Sequence, residues 1–139
     1  LYAIHNPSYG WQNHPCVNMW RKYPQILAVY GIVMCNEWIS RGFKDTTRDK
    51  IVPYLGFLSN LRVTTDNKRL INYYIGGTFV VGNSNREWYV TKPKWLGNID
   101  FHRSHRSNLL RKAPDHYSQY FTDVPNDLEY IWPTNIKTN

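Results

Sequence analysis

The chain has 139 residues, with 17 Lys and Arg against 10 Asp and Glu, for a formal charge of +7. That length suits one domain with its own core, and six Trp, eleven Tyr and five Phe are too many aromatics for a disordered chain. No apolar run is long enough to span a membrane, and two cysteines, Cys16 and Cys35, make neither a disulfide framework nor a zinc knuckle.

A basic balance favours an anionic partner, with nucleic acid ahead of a membrane surface. Both cysteines stand among apolar residues and are expected to be buried thiols in a reducing compartment, so the protein is read as intracellular, with no organelle assigned. No signal-peptide pattern opens the chain.

Residues 1–14 read as a loop, punctuated by Asn6, Pro7, Ser8 and Gly10 and anchored by Tyr9 and Trp11. Pro15 suits the first turn of a short helix capped by Asn13 or His14, and Pro24 opens a second helix over 24–41. Along that helix Ile26, Tyr30, Val33, Met34 and Trp38 recur at three- and four-residue spacing, which predicts the stripe facing the core. Gly42 follows as a left-handed C-terminal cap. A third helix is expected from Asp45 until Pro53 interferes.

Strand-forming residues then dominate over 61–65, 71–75, 78–81 and 87–91, separated by Asp66-Asn67, Gly76-Gly77 and 82–85. This predicts an antiparallel β meander over 62–91, inserted into a single helical domain spanning 1–139. Asp100 is expected to cap a last helix over 101–112, which Pro114 stops, and Tyr130, Ile131 and Trp132 pack back on the fold. The fold class is therefore mainly α, a compact helical bundle with a small β insertion.

The densest chemical segment is HRSHRSNLLRKAPDHY, 102–117. Between Lys92 and Lys112 lie six basic residues and one acid, Asp100. On a helix His102, His105, Arg106 and Leu109 share a side, and Arg103, Ser107 and Arg111 form the next stripe. Guanidinium forks beside short hydroxyls suit phosphate, so Arg103, His105, Arg106, Ser107 and Arg111 are the nucleic-acid-binding candidates. The plainer alternative is a solvated helix with a basic end. His102 and His105 lack further ligands nearby, so neither a metal nor any other cofactor is expected.

A second motif, GWQNHPCVNMWRKY over 10–23, sets Asn13, His14, Arg21 and Lys22 beside Trp20. It could hold an unpaired base, which makes His14 and Arg21 weaker site candidates. The structural alternative has Trp11 and Trp20 as core anchors and His14 as a helix cap. Glu37 borders the apolar stripe and could move a proton, but Arg41 stands four residues on, and an ion pair is the favoured reading.

Residues 10–46, GWQNHPCVNMWRKYPQILAVYGIVMCNEWISRGFKDT, resemble the core of an uncharacterised bacterial branch of the pyrimidine-dimer DNA glycosylase family, whose phage members are endonuclease V-like. Residues 94–133, from KWLGNID to YIWP, resemble its C-terminal half. The resemblance implies DNA repair: a helical protein in which an N-terminal amine attacks the sugar, a nearby Glu assists, and the abasic site is then cleaved. In the family those two groups belong to a preceding helix, and Leu1, Tyr2 and Ala3 look like its tail. No residue of this chain inherits either role, so catalytic residues stay unassigned, and the chain as written is expected to lack glycosylase and lyase activity. The strand-rich stretch over 62–91 departs from the family pattern. The expected partner is DNA first and RNA second, with no membrane. One alternative is a non-catalytic subunit that docks on RNA or within a larger nucleoprotein assembly. Another is a protein-interaction module whose basic face is incidental.

Overall fold

A computed structural model describes residues 1–55, 71–75, 78–83 and 86–133, with the backbone alone for strand residues through 88. The strand expected over 61–65 and the turns at Asp66-Asn67, Gly76-Gly77 and Ser84-Asn85 lie outside the described residues. The expected mainly helical class holds, with six helices and one small sheet among the described residues. The chain divides into two compact units, Leu1–Pro93 and Lys94–Asn139.

In the first unit, α1 (Tyr2–His5) is one helical turn inside the stretch read as a loop. Pro15 opens α2 (Pro15–Trp20), where the His14 ring accepts the Cys16 N–H. Pro24 opens α3 (Pro24–Ser40). At its end Gly42 sits at φ +86, its N–H donates to Ile39 O at 2.9 Å, and the Phe43 N–H reaches Trp38 O at 3.4 Å. The Phe43 ring stacks on Trp38 at 4.2 Å, so the left-handed glycine, the two backbone bonds and the ring contact together close the helix.

The face that α3 buries differs from the expected stripe. Ile26, Ala28, Val29, Ile32, Cys35 and Asn36 are buried, whereas Tyr30, Met34 and Trp38 are about half exposed. The helix is apolar around most of its circumference, so period alone does not select a side. Small residues help to decide it. Gly31 lets α4 (Arg48–Ile51) come close, since a Cβ there would lie 2.9 Å from Ile51 Cδ1. Leu55 and Val90 complete the buried cluster with Ile26, Ala28, Val29 and Ile32.

The third helix starts at Arg48 rather than Asp45. The Asp45 carboxylate stands before it and accepts the N–H groups of Thr47 at 3.0 Å and Arg48 at 2.7 Å. Two other expectations fail in this unit. Cys16 is exposed while Cys35 is buried, and Trp11 is 63% exposed rather than a core anchor. Both sit at or before the first turn of a six-residue helix that buries none of its residues. Trp20 does pack against the core.

The sheet is antiparallel in the order β1 (Ile71–Ile75), β2 (Thr78–Asn83), β3 (Arg86–Thr91). Ile75 pairs with Thr78 and Asn83 with Arg86, and the register shifts once between Ile71 and Tyr73. Strand β3 meets α3 through Val90.

The second unit is built on α5 (Ile99–Lys112), followed by the single turn α6 (Pro114–Tyr117). Asn98, not Asp100, caps α5, its side chain accepting the Phe101 N–H at 2.8 Å. The left-handed Gly97, at φ +88, delivers the chain to that cap. Pro114 opens α6 rather than only ending α5, because its missing N–H costs nothing in a first turn. No helix among the described residues is long and apolar enough to cross a membrane.

Candidate nucleic-acid interface

The basic helix α5 buries every third residue from its start: Phe101, Ser104, Ser107 and Leu110. Two of these four are serines. Ser104 Oγ donates to Phe101 O at 3.0 Å and accepts the Ile131 N–H at 3.2 Å. Ser107 Oγ accepts the Leu128 N–H at 3.0 Å. One turn on, Arg111 Nη1 donates to Asn126 O at 3.0 Å and Leu128 O at 2.8 Å, and its Nη2 reaches Asn108 Oδ1 at 3.3 Å. Residues 126–132, which form no helix or strand up to residue 132, thus run antiparallel along α5 as a strap held by positions 104, 107 and 111. An irregular segment has backbone groups that must find partners, and here the helix side chains supply them.

His105 belongs to the same seam. Its Nε2 lies 3.0 Å from Ile131 O, and because a carbonyl can only accept, Nε2 carries the hydrogen. Its ring meets Phe101 at 4.2 Å, Tyr130 at 4.7 Å and Trp132 at 5.1 Å. Burial lowers the His105 pKa and the neighbouring His102 adds to that, while the Ile131 carbonyl opposes them. His102 accepts the Gly97 N–H on Nε2 at 3.0 Å, so it braces the start of the helix. Among the described residues no three His, Cys, Asp or Glu side chains gather where a metal could bind.

The structure therefore brings the five candidates of α5 onto one element but gives them different work. Ser107 is fully buried with its hydroxyl engaged, and it presents nothing to a phosphate. His105 faces the strap. Arg106 Nη2 pairs with Asp123 Oδ2 at 2.7 Å, with the arginine side chain one-third exposed. Arg111 is exposed yet ties the strap down. Arg103 alone of the three arginines makes no hydrogen bond or ion pair with a described residue, and it opens onto a concavity of about 250 Å³. The sequence offers only part of the signal that separates these roles, a period-three series whose second and third members are small hydroxyls; which backbone groups they serve follows from the fold.

The weaker candidates lie in the first unit. Arg21 Nη2 donates to Gln12 O and, at 3.1 Å, to Asn18 Oδ1, which pins the loop before α2 onto the helix. His14 accepts the Cys16 N–H on Nδ1 at 3.2 Å, and its ring lies 5.4 Å from Trp11. The cap reading of His14 holds. That loop shows solvent the rings of Tyr9 and Trp11, and the exposed Tyr2 of α1 meets Tyr9 edge to face at 5.3 Å. Glu37 Oε1 takes Arg41 Nε at 2.8 Å on the exposed side of α3, so the ion-pair reading of Glu37 holds too.

Residues 1–51 match the family model described as pyrimidine dimer DNA glycosylase. No curated protein and no solved structure matches the chain. The matched range runs from α1 through α4 and contains the His14 and Arg21 loop; residues 94–133 lie outside it. Residues 1–51 are related to that family, and at that level the chain carries a DNA glycosylase-like region.

Proposed function

We propose that this protein binds DNA in the manner of a lesion glycosylase, with RNA as a weaker partner, and that the residues described contribute recognition rather than bond cleavage. The match over residues 1–51 carries the reading, and the charge of +7 supports it. Phosphate contacts fall to Arg106 and Arg111, which keep spare donors beyond their present bonds, and to the exposed Lys112 beside them. Around α2, Arg21 and His14 hold the loop that displays Trp11, a ring on which an unpaired base could stack. Glu37 is not the catalytic acid of this reading, because Arg41 holds it on the open side of α3.

The test is a salt titration of binding to duplex DNA. Affinity should fall with a log–log slope of about −0.9 per phosphate contacted, and Arg106→Ala should flatten the slope by about one unit. Absence of binding at low salt overturns the proposal. The same protein incubated with duplex carrying a cyclobutane dimer or an abasic site, under borohydride, should trap no covalent complex. A second reading, a non-catalytic RNA- or nucleoprotein-docking subunit, has one observation in its favour: the sheet of β1 to β3 lies outside the matched range. Tighter binding to an RNA stem than to duplex DNA would select it.

A further inference from the structure

We infer that the concavity beside α5 is a receptor for one unpaired guanine base, an inference that rests on the nucleic-acid reading above. The concavity holds about 250 Å³ and is lined by Asp100, Arg103, Ser104, Leu128, Glu129 and Ile131. Pockets that enclose drug-sized ligands run to roughly 300–1,000 Å³, so this one suits a single ring system rather than a whole nucleotide.

Its chemistry is mixed in an unusual way. Asp100, Arg103 and Glu129 all line it, and none makes a hydrogen bond or ion pair with a described residue. The other two arginines of α5 are engaged, with Asp123 and with the strap. Ser104 offers little to a ligand, since its hydroxyl already serves Phe101 and Ile131. What remains is a half-buried guanidinium, two exposed carboxylates, and the half-buried Leu128 and Ile131, against which a ring face can lie.

A phosphate is a poor occupant, because two carboxylates face it. A neutral planar group is a good one if it offers two adjacent acceptors to the guanidinium and two adjacent donors to a carboxylate. Among the four DNA bases guanine alone does so. Its O6 and N7 accept from a guanidinium fork, and N1–H and the N2 amino group donate to a carboxylate. Adenine puts a donor beside N7, and thymine and cytosine lack the paired arrangement. Inside a duplex N1 and N2 are taken by cytosine, so the base must be unpaired. Arg103 accordingly reads O6 and N7, and Glu129 or Asp100 takes N1–H and the amino group.

The experiment uses the full chain and fluorescence-labelled thymine oligonucleotides with one central guanine, 7-deazaguanine, hypoxanthine or thymine. The guanine strand should bind about tenfold tighter than the all-thymine strand, within the range of one good bidentate base contact. Losing N7 or the N2 amino group should each remove part of that gain. Arg103→Gln and Glu129→Gln should each abolish the preference for the guanine strand over the all-thymine strand while keeping the melting temperature. Equal binding of guanine and thymine strands by the unaltered protein overturns the receptor and leaves general nucleic-acid binding standing. Failure to bind any strand at low salt overturns both.

Discussion

The two units each hold one principal helix, and they hold it by different physics. In the first, the residues that α3 removes completely from water are Ala28, Val29 and Ile32, at 0% exposure, with Leu55 packed against them. In the second, the fully covered side chains of α5 are Ser104 and Ser107, at 1% and 0%. Apolar burial is strong but non-directional: it brings surfaces together without setting register. A hydroxyl that accepts one particular amide does set register. Residues 126–132 have no ladder of their own, and positions 104, 107 and 111 fix the Asn126 and Leu128 carbonyls and the Leu128 and Ile131 amides. A helix can thus be basic and hydroxyl-rich partly in order to fasten a strap, and its serines serve that strap while its exposed arginines keep donors to spare.

The largest test of this contrast is Ile32→Ala, which should remove about 2–5 kcal/mol from the stability of the first unit by leaving a cavity in the α3 cluster. Amide hydrogen exchange should show the loss around α3. Equal acceleration at Leu128 and Ile131 would show that one cooperative core serves both units, and would erase the distinction. Next comes Ser107→Ala. It strands the Leu128 N–H and should cost about 1–3 kcal/mol, with faster exchange at Leu128 and little change near Ile32. Unchanged exchange at Leu128 would reduce the serine to a packing residue.

A pH titration sharpens the comparison further. Burial depresses the His105 pKa in the fold, whereas the unfolded chain titrates near its ordinary value of about 6.5. Between those two values the unfolded chain holds more protons, so stability rises with pH there. The strap should therefore loosen as pH falls through about 6.5 and level off below the folded value, and His105→Gln should flatten the dependence. A protection factor at Ile131 that stays constant with pH would remove His105 from the seam. The smallest effect belongs to the Glu37–Arg41 pair, whose side chains are 50% and 66% exposed. Glu37→Gln should cost no more than about 0.5 kcal/mol, and less in high salt. A larger loss would mean that α3 depends on its surface as much as on its buried side.

Local chemistry was legible wherever one residue type imposes one conformation. Pro15 and Pro24 open their helices, Gly42 takes the left-handed cap, and His14 caps α2. The strand bounds follow alternation and turn residues, with β2 and β3 running slightly further toward their shared turn than expected. The caps that were misplaced, Asn98 rather than Asp100 and Arg48 after Asp45 as the start of α4, fall where two candidate residues stand close together and either could serve. The misread face of α3 has another origin, because Tyr30, Met34 and Trp38 are large and mostly apolar and repeat at helical spacing, yet they stay about half exposed, with the Trp38 indole N–H on Lys44 O.

By itself, then, the sequence determined the starts of α2 and α3 and the left-handed end of α3, because proline, glycine and short polar caps act on neighbouring backbone within a few residues. It also set the basic balance and the stretch related to a repair family. Tertiary structure alone decided which face of α3 is buried, since that depends on Gly31 meeting Ile51 and on Val90 arriving from the sheet. It alone decided that Ser107 and His105 serve a strap some twenty residues away in the chain, while Arg103 is left facing an open concavity. Such choices turn on which distant groups need a partner, and the residues of one helix do not carry that information.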